Sequence, residues 1–548
     1  MKKIAFAVAA LLLVVLLVGI GFAVADREPA RKPNVLIILW DTARADRMSL
    51  YGYELPTTPR IDAWARRYGV VYEQAISPDM WTVPSHASLF TGLPPSAHGA
   101  GFDHRWLDDH QVTLAEWFAQ NGWDTYAFSA NPNLSPSRVN LLQGFESVDT
   151  SWGRKWRDEV IEHTLSKLLK RDKSTEISPG SRQKHAGTGF YNAGPITHEA
   201  LTLWLDTRED MERPFFAYLS YMEAHKPRVP FLESRQRVAS EEVIKVGLET
   251  DLTFKNQLLY GYGKVSYTPK QLEAVNRVYD AALADLDNAT GDLLDDLEDR
   301  GLLEDTVVIL TADHGEQLGE HEQFGHRSGV YQTLLHVPLV IAYPQALRPR
   351  RVEHPVSNLS LFDTILELAR LPAPETPYAR GSLVDAIRRP PPFVFSETMS
   401  IDRLGFGKVK KLYPDLTRDR WANTYRSIEE GEWKLIQTVS FDEPYEVVDC
   451  ELFNLADDPQ ETADRYAQEV ERAQSLARRL GETKAALPHW DPSRADHVRE
   501  QLSDAERKQL AMLGYFEEDD VEEPEGASTE LGPIASRIDA NSNACPPP

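Results

Sequence analysis

Two continuous apolar runs constrain the fold of this chain most strongly. They are Asn34–Trp40, which is followed at once by Asp41, and Thr306–Thr311, which is followed closely by Asp313. Unbroken stretches of branched apolar residues are typical of strands that are buried on both faces of a sheet. Both runs are therefore predicted to be central strands.

Segments with helical spacing lie between these strands, at Leu114–Gly122 and Gln271–Arg300. Strands that alternate with helices predict an α/β fold with a mostly parallel central sheet and helices on both faces. Ligands bind such sheets at the carboxyl ends of the strands. Asp41 and Asp313 are therefore expected at a ligand site.

The length of 548 residues exceeds the usual size of a single core and predicts two domains. We place a catalytic α/β domain at 33–390. Apolar segments at 431–436 and 451–455 predict a small antiparallel sheet, within a C-terminal α+β subdomain at 391–516 that also contains a polar helix at about 461–486. The acidic stretch 517–548 is predicted to be a disordered tail.

The first residues have the pattern of an export signal. Lys2 and Lys3 precede an apolar run that ends near Ala25, and 1–25 is predicted to be either a cleaved signal peptide or a single membrane anchor. A periplasmic or extracellular location follows. An oxidising compartment would permit a disulfide between the two cysteines, Cys450 and Cys545, but the sequence leaves their pairing open.

The net charge excludes a general attraction to nucleic acid. There are 59 basic and 84 acidic residues, which gives a formal charge of −25. Such a surface repels polyanions, so no nucleic-acid partner is expected. Any anionic substrate must therefore be bound at a local site.

Thr82 is the candidate nucleophile. It stands in Trp81-Thr-Val-Pro-Ser-His-Ala-Ser-Leu-Phe-Thr-Gly92, where the hydroxyl is followed by Pro84 and a run of small residues that begins a helix. Backbone N–H groups at a helix N-terminus help to hold an anionic phosphate or sulfate. The alternative is that Thr82 only caps the helix, as Ser and Thr commonly do.

A second cluster combines metal-ligand types. Asp313 and His314 follow a buried strand and can point at one cation, to which Asp41 adds a carboxylate and Thr82 a hydroxyl. One divalent ion is predicted, with zinc or manganese favoured by the mixed ligands and calcium as the other option. Coordination is one way to activate a weak nucleophile.

Motifs along the chain resemble the sulfatase family of the alkaline phosphatase superfamily. They are Asp41-Thr-Ala-Arg-Ala-Asp46, Thr82-Val-Pro-Ser-His86, His98-Gly99, Asp313-His-Gly-Glu316, Val337-Pro338 and Glu451-Leu-Phe-Asn-Leu455 with Asp458-Pro459. The resemblance implies an α/β domain with a small C-terminal sheet domain. It also implies that Asp41, Asp313 and His314 bind metal and that Thr82 is the nucleophile.

The resemblance also supplies candidates for the substrate pocket. His225 matches the family's His-x-Pro segment, and His326 is similar to a pocket histidine of bacterial phosphoethanolamine transferases. Both are predicted to steady the ester oxygens or to protonate the leaving group. Arg44, Ser85 and His86, which lie in the matching motifs, are expected to bind substrate.

Two departures from the family bear on the reaction. Sulfatases have Cys or Ser at position 82, which is oxidised to formylglycine, and usually Arg where this chain has His86. Oxidation of Thr82 would give a ketone instead of that aldehyde. Trp40 replaces another Asp, which removes oxygen ligands that calcium needs.

These departures favour hydrolysis of phospho(di)esters or phosphonates over sulfate esters, with a small-molecule, glycan or lipid-headgroup ester as substrate. Two alternatives stay open from the sequence. One is a phosphoethanolamine-type phosphotransferase. The other is a catalytically silent protein that only binds the metal.

Overall fold

The computed structural model describes residues 31–101, 104–169, 192–375, 378, 381–398, 413–414, 423–440, 446–495 and 544–547. The predicted signal peptide or anchor at 1–25, and the tail at 517–548 apart from 544–547, lie outside this part of the chain. Within the described ranges, none of the helices is long and apolar enough to cross a membrane.

A large sheet forms the centre of the molecule, with the strand order β11-β2-β10-β6-β1-β5-β3-β4 and with β9 paired to β2. Strands β7 and β8 form a separate two-stranded sheet. In chain order the strands are β1 (Asn34–Trp40), β2 (Gly69–Ile76), β3 (Asp124–Ser129), β4 (Ser147–Thr150), β5 (Phe215–Tyr221), β6 (Thr306–Thr311), β7 (Gln317–Leu318), β8 (Phe324–Gly325), β9 (His336–Val337), β10 (Leu339–Ala342) and β11 (Arg350–Ser357).

The pairing of these strands confirms the predicted fold class. Strand β1 runs parallel to both β5 and β6, and in the described part of this sheet only β9 and β10 run in the direction opposite to the other strands. The register aligns Leu39 with Thr311 and Trp40 with Tyr221. The carboxyl ends of β1 and β6 therefore lie side by side, which brings Asp41 close to Asp313.

Helices lie along and around this sheet. They are α1 (Pro59–Tyr68), α2 (Thr82–Thr91), α3 (Pro95–His98), α4 (Leu114–Gln120), α5 (Pro136–Val139), α6 (Arg157–Leu169), α7 (Gly194–Thr207), α8 (Leu232–Val238), α9 (Glu241–Glu249), α10 (Phe254–Gly261), α11 (Pro269–Asp299), α12 (Gln332–Leu335), α13 (Leu361–Leu368) and α14 (Leu383–Ala386). Helix α11 begins with a capping box, in which Thr268 and Gln271 satisfy each other's backbone N–H groups.

A smaller antiparallel sheet follows, in the order β12 (Val394–Thr398), β13 (Asn423–Glu430), β14 (Trp433–Ser440) and β15 (Val447–Asn454). Helix α15 (Val470–Ala486) packs its apolar side against this sheet, with Leu476 and Leu480 in one core with Leu435. The prediction of a small antiparallel C-terminal sheet is confirmed.

The helix beside this sheet begins later than the sequence suggests, at Val470 instead of about Glu461. The Asp458 side chain accepts hydrogen bonds from the backbone N–H groups of Thr462 and Ala463. Glu461 itself has a φ of 55°, in the left-handed region. A side-chain-stabilised turn therefore replaces the first two predicted helical turns.

The last described residues depart from the predicted disordered tail. Cys545 forms a disulfide with Cys450 of β15 and is buried. Its carbonyl accepts a hydrogen bond from Gln474 Nε2, and Tyr466 donates its hydroxyl proton to the carbonyl of Pro546. Cys545 is thus part of the C-terminal core, and Pro546 is held at its edge.

We predict that Cys545→Ser destabilises the C-terminal sheet. The disulfide joins residues 95 positions apart, and loss of such a link typically costs roughly 2–5 kcal/mol. Urea denaturation monitored by tryptophan fluorescence should show this loss. The reduced wild-type protein should match the variant, and an unchanged midpoint for both would contradict the prediction.

Candidate active site

Three predicted metal ligands converge at the carboxyl ends of β1 and β6. Ligand atoms of Asp41, Asp313 and His314 all lie within 4.8 Å of one another, and all three side chains are buried. Asp41 follows β1 directly, and its backbone N–H donates to the carbonyl of Tyr221 at the end of β5. The sheet thus fixes the position of the first ligand.

The turn after Asp41 is strained and firmly held. Thr42 has a φ of 60°, which is uncommon for a β-branched residue. Its N–H donates to Asp313 Oδ1 over 3.2 Å, and its carbonyl accepts a 2.7 Å hydrogen bond from the Tyr279 hydroxyl. The same hydroxyl accepts from the N–H of Arg44. Tyr279, which the sequence did not single out, therefore locks this turn.

The carboxylates of Asp41 and Asp313 each have one oxygen that accepts hydrogen bonds and one that does not. Asp41 Oδ2 accepts a 2.5 Å hydrogen bond from Asn131, and Asp313 Oδ1 accepts from the backbone of Thr42 and His314. Asp41 Oδ1 and Asp313 Oδ2 are buried and have no hydrogen-bond partner. Burial and the charge of Asp313 raise the pKa of Asp41 well above its usual value, against the opposing effect of Asn131. Two facing buried carboxylates fit a divalent cation.

His314 presents one nitrogen to the same point. Its Nδ1–H donates to the carbonyl of Gly315 over 2.8 Å, so Nε2 carries the lone pair. That Nε2 lies 3.3 Å from Asp313 Oδ2 and 3.3 Å from Thr82 Oγ1. His314 is therefore oriented with Nε2 towards Asp313 and the candidate nucleophile.

Thr82 occupies the first position of α2, and the N-cap residue is Trp81. Thr82 is therefore not the cap residue, and its hydroxyl lies 3.3 Å from Nε2 of His314. Asp79 Oδ1 accepts from the N–H of Trp81 and holds the entry to the helix. The alternative in which Thr82 only caps the helix does not describe this geometry.

Arg44, Ser85 and His86 are buried and have partners within the protein. Arg44 contacts the carboxylates of Asp46 and Glu320, and Ser85 donates to the carbonyl of Asp79. Their expected contact with substrate stays a prediction. In the structure, Arg44 ties the turn after β1 to the segment after β7.

His86 supports Thr82 from one helical turn further on. Its Nδ1–H donates to the Thr82 carbonyl over 2.8 Å, and its Nε2 accepts a 2.6 Å hydrogen bond from the Tyr218 hydroxyl. Burial lowers the pKa of His86 below its ordinary value, despite the nearby charge of Asp313. Its role as a substrate ligand stays a prediction, and both ring nitrogens have protein partners.

The two predicted pocket histidines extend the site beyond His314. The ring centre of His326 lies 4.4 Å from that of His314 and 5.2 Å from that of His225. Burial lowers the pKa of both His225 and His326 well below 6.5, and their neighbours' positive charges lower these pKa values further. Burial therefore favours the neutral form of both imidazoles.

The sequence reasoning missed a charged group beside these histidines. Buried Glu316 forms ion pairs with Arg228 and with Lys226 Nζ, the latter over 3.6 Å, and His326 Nδ1 lies 3.6 Å from the same carboxylate. The Lys226 side chain keeps 21% of its surface exposed. Burial lowers the pKa of Arg228 to about 10, so Arg228 stays charged beside Glu316 at neutral pH. Burial and the charges of Arg228 and Arg327 lower the pKa of Lys226 well below its usual value. In the sequence, the signal for this charged group was that Lys226 and Arg228 flank Pro227 in a chain that is acidic as a whole.

Comparison with known proteins agrees with this geometry. The family model described as Sulfatase matches residues 33–371. The chain belongs to the sulfatase family. Arylsulfatase K of Gallus gallus is 25% identical over 377 residues, which cover 65% of this chain and 67% of that protein. The ulvan-active sulfatase of Formosa agariphila is 24% identical and covers 76% of this chain and 75% of its own length.

Solved structures of sulfatase-family proteins share the fold. The phosphonate monoester hydrolase of Silicibacter pomeroyi aligns with a TM-score of 0.60 at 19% identity, and covers 83% of this chain and 96% of its own. The chain is accordingly a sulfatase-family hydrolase. The family is metal-dependent, and Asp41, Asp313 and His314 are the group suited to the ion.

We predict that Asp41→Asn stabilises the metal-free protein while it weakens metal binding. Because the pKa of Asp41 is raised in the folded state, its cost to folding is absent below the unfolded-state pKa of about 3.8 and grows as the pH rises from there to the folded-state pKa. The gain should be roughly 1–3 kcal/mol at pH 8 and should vanish near pH 3. Urea denaturation of EDTA-treated protein at both pH values measures it. Equal stability of variant and wild type at pH 8 would contradict the prediction.

Proposed function

We propose that this sulfatase-family member hydrolyses phospho(di)esters or phosphonates in preference to sulfate esters, with Thr82 as the nucleophile. The observation that carries the proposal is the position of Thr82 Oγ1, 3.3 Å from the ligand nitrogen of His314 at the start of α2. A threonine cannot give the formylglycine aldehyde, so the unmodified hydroxyl must attack. Because related proteins are named as sulfatases, sulfate esters are the substrates against which phosphate esters and phosphonates should be compared.

The proposed cofactor is one divalent ion held by Asp41, Asp313 and His314, with Thr82 as a further ligand. When bound, such an ion would lower the pKa of a nearby hydroxyl and stabilise the negative charge that develops on the oxygen of the leaving alcohol. Trp40 directs its indole N–H to Thr290 of α11 over 2.9 Å, so no carboxylate comes from position 40. The small oxygen count favours zinc or manganese over calcium.

The first chemical step is an in-line attack by Thr82. Its oxygen forms a bond to phosphorus as the bond to the alcohol oxygen breaks, which leaves a covalent ester on Thr82. His86 holds the Thr82 carbonyl, and the start of α2 directs backbone N–H groups towards the anionic ester. The nucleophile is thereby positioned before substrate binds.

The pocket histidines and Lys226 handle the charges of the ester. Lys226 Nζ and His326 are the proposed donors to the non-bridging oxygens, and an anionic ester beside Lys226 favours its charged form. The Nδ1–H of His225 already donates to the carbonyl of Lys226. An anionic ester beside the histidines raises their pKa, so that one of them can hold the proton that the departing alcohol takes up. Water then attacks phosphorus and releases Thr82.

The natural substrate is proposed to be a small-molecule, glycan or lipid-headgroup ester that the chain meets after export. The basic residues Lys2 and Lys3 before an apolar run support export, with the segment either cleaved or kept as a membrane anchor. The Cys450–Cys545 disulfide is consistent with an oxidising compartment. The acidic surface gives nucleic acid no general binding site.

We predict that Thr82→Ala abolishes turnover of aryl phosphodiesters and phosphonates. A loss of about 10³-fold or more follows from removal of the nucleophile, whereas Thr82→Ser keeps the hydroxyl and serves as the matched control. Mass spectrometry of the peptide containing position 82, after brief exposure to substrate, should show a phosphoryl adduct in the wild type. Activity retained by the alanine variant, with unchanged metal content, would exclude Thr82 as nucleophile.

We predict that Lys226→Met raises KM for anionic esters. Loss of one charge-assisted hydrogen bond, worth about 1.5–3 kcal/mol, corresponds to roughly ten- to a hundredfold in kcat/KM. Lys245→Met is the control, because Lys245 is exposed and pairs only with Glu249 among the described contacts. Steady-state kinetics with a charged and a neutral ester of the same alcohol measure the effect. An equal loss for both esters would argue against charge recognition.

A further inference from the structure

The segment Tyr331–Leu335 packs directly against the metal-ligand turn. The carbonyl of Leu334 accepts a 2.7 Å hydrogen bond from Gly315 N–H, and the Gly315 carbonyl accepts from His314 Nδ1. A side chain at position 315 would meet the Thr333 carbonyl at 2.2 Å. The orientation of His314 therefore depends on where this segment lies.

The same segment supports the other ligand through Ser77. The carbonyl of Leu335 accepts a 2.8 Å hydrogen bond from the N–H of Ser77. The Ser77 hydroxyl donates in turn to the backbone carbonyl of Asp313. Two of the three metal ligands are thus held by hydrogen bonds that start on one short stretch of chain.

The outer end of the segment is held by carboxylates of the C-terminal sheet and the turn that follows it. Glu451 of β15 accepts a hydrogen bond from the Tyr331 hydroxyl, with oxygens at 3.0 and 3.2 Å. Glu461 accepts from the N–H of Gln332 over 2.5 Å, and Glu429 of β13 accepts from the Gln332 side chain over 2.9 Å. These contacts join residues that lie between 97 and 129 positions apart in the sequence.

These carboxylates are placed at an energetic cost. Glu461 is buried in the left-handed conformation with a φ of 55°, and Lys434, which is fully buried, lies 2.7 Å from it. Burial raises the pKa of both Glu429 and Glu451 to about 7. A buried acidic cluster and a strained residue persist only where the surrounding structure fixes them.

We propose that Glu451 and Glu461 are positioning residues for the active site. Glu451 begins the segment Glu451-Leu-Phe-Asn-Leu455, and Glu461 lies in the turn that follows Asp458-Pro459. In the described structure, their carboxylates accept hydrogen bonds from Tyr331 and Gln332 and not from the metal ligands. By holding Tyr331 and Gln332, the two carboxylates hold the His314 turn in the orientation that the metal requires. The C-terminal sheet is thereby part of the active site's support.

The strength of metal binding tests this proposal without reference to the reaction. Groups that orient metal ligands typically contribute about ten- to a hundredfold to metal affinity. Mn²⁺ is titrated into EDTA-treated, full-length protein by calorimetry. We expect Glu451→Ala and Tyr331→Phe each to weaken Mn²⁺ binding about tenfold, while Glu451→Gln, which keeps an acceptor for the Tyr331 hydroxyl, restores most of the affinity.

A double variant and a neighbouring control separate positioning from general destabilisation. If both residues act through one hydrogen bond, the double variant Glu451→Ala/Tyr331→Phe should lose no more than either single variant. Glu430→Ala changes a partly exposed carboxylate on β13 that pairs with Arg479, and it should bind Mn²⁺ as the wild type does. Wild-type affinity in folded Tyr331→Phe, or an equal loss in Glu430→Ala, would overturn the proposal.

Discussion

The repulsion between two buried carboxylates is the constraint on which the site depends. Parallel pairing of β1 with β6 places Asp41 and Asp313 at one edge of the sheet, where water is excluded and neither can move away. Each keeps one oxygen unpaired. A cation turns this destabilising arrangement into a stabilising one, so the fold accepts a cost in stability in order to bind metal.

The parts of the site that lie within continuous segments could be predicted from the sequence. Apolar runs identified the central strands, and strand ends in a parallel sheet must share an edge, so Asp41 and the Asp313-His314 pair were expected together. Thr82 was identified because a hydroxyl precedes a run that begins a helix. In each case, a local pattern and one general rule of topology determine the position.

The supporting contacts could not be predicted, because they join positions far apart in the chain. Asn131 contacts Asp41 across 90 positions, and Tyr279 contacts Thr42 across 237. No local pattern distinguishes these residues from others of their type. His86 lies in a motif, which marked it as a candidate but did not show that it is buried. In the structure, both of its ring nitrogens form hydrogen bonds within the protein.

Two of the six described non-glycine residues with a left-handed φ lie in the segments that support the site. Thr42 beside the first ligand and Glu461 in the C-terminal segment both have left-handed conformations, each of which costs about 1–3 kcal/mol in a residue other than glycine. Tyr279 holds one of them, and Lys434 pairs with the other. Glycine at either position would relieve the strain, but it would remove the side chain and make the backbone more flexible. The strain is therefore consistent with selection for ligand geometry at the expense of stability.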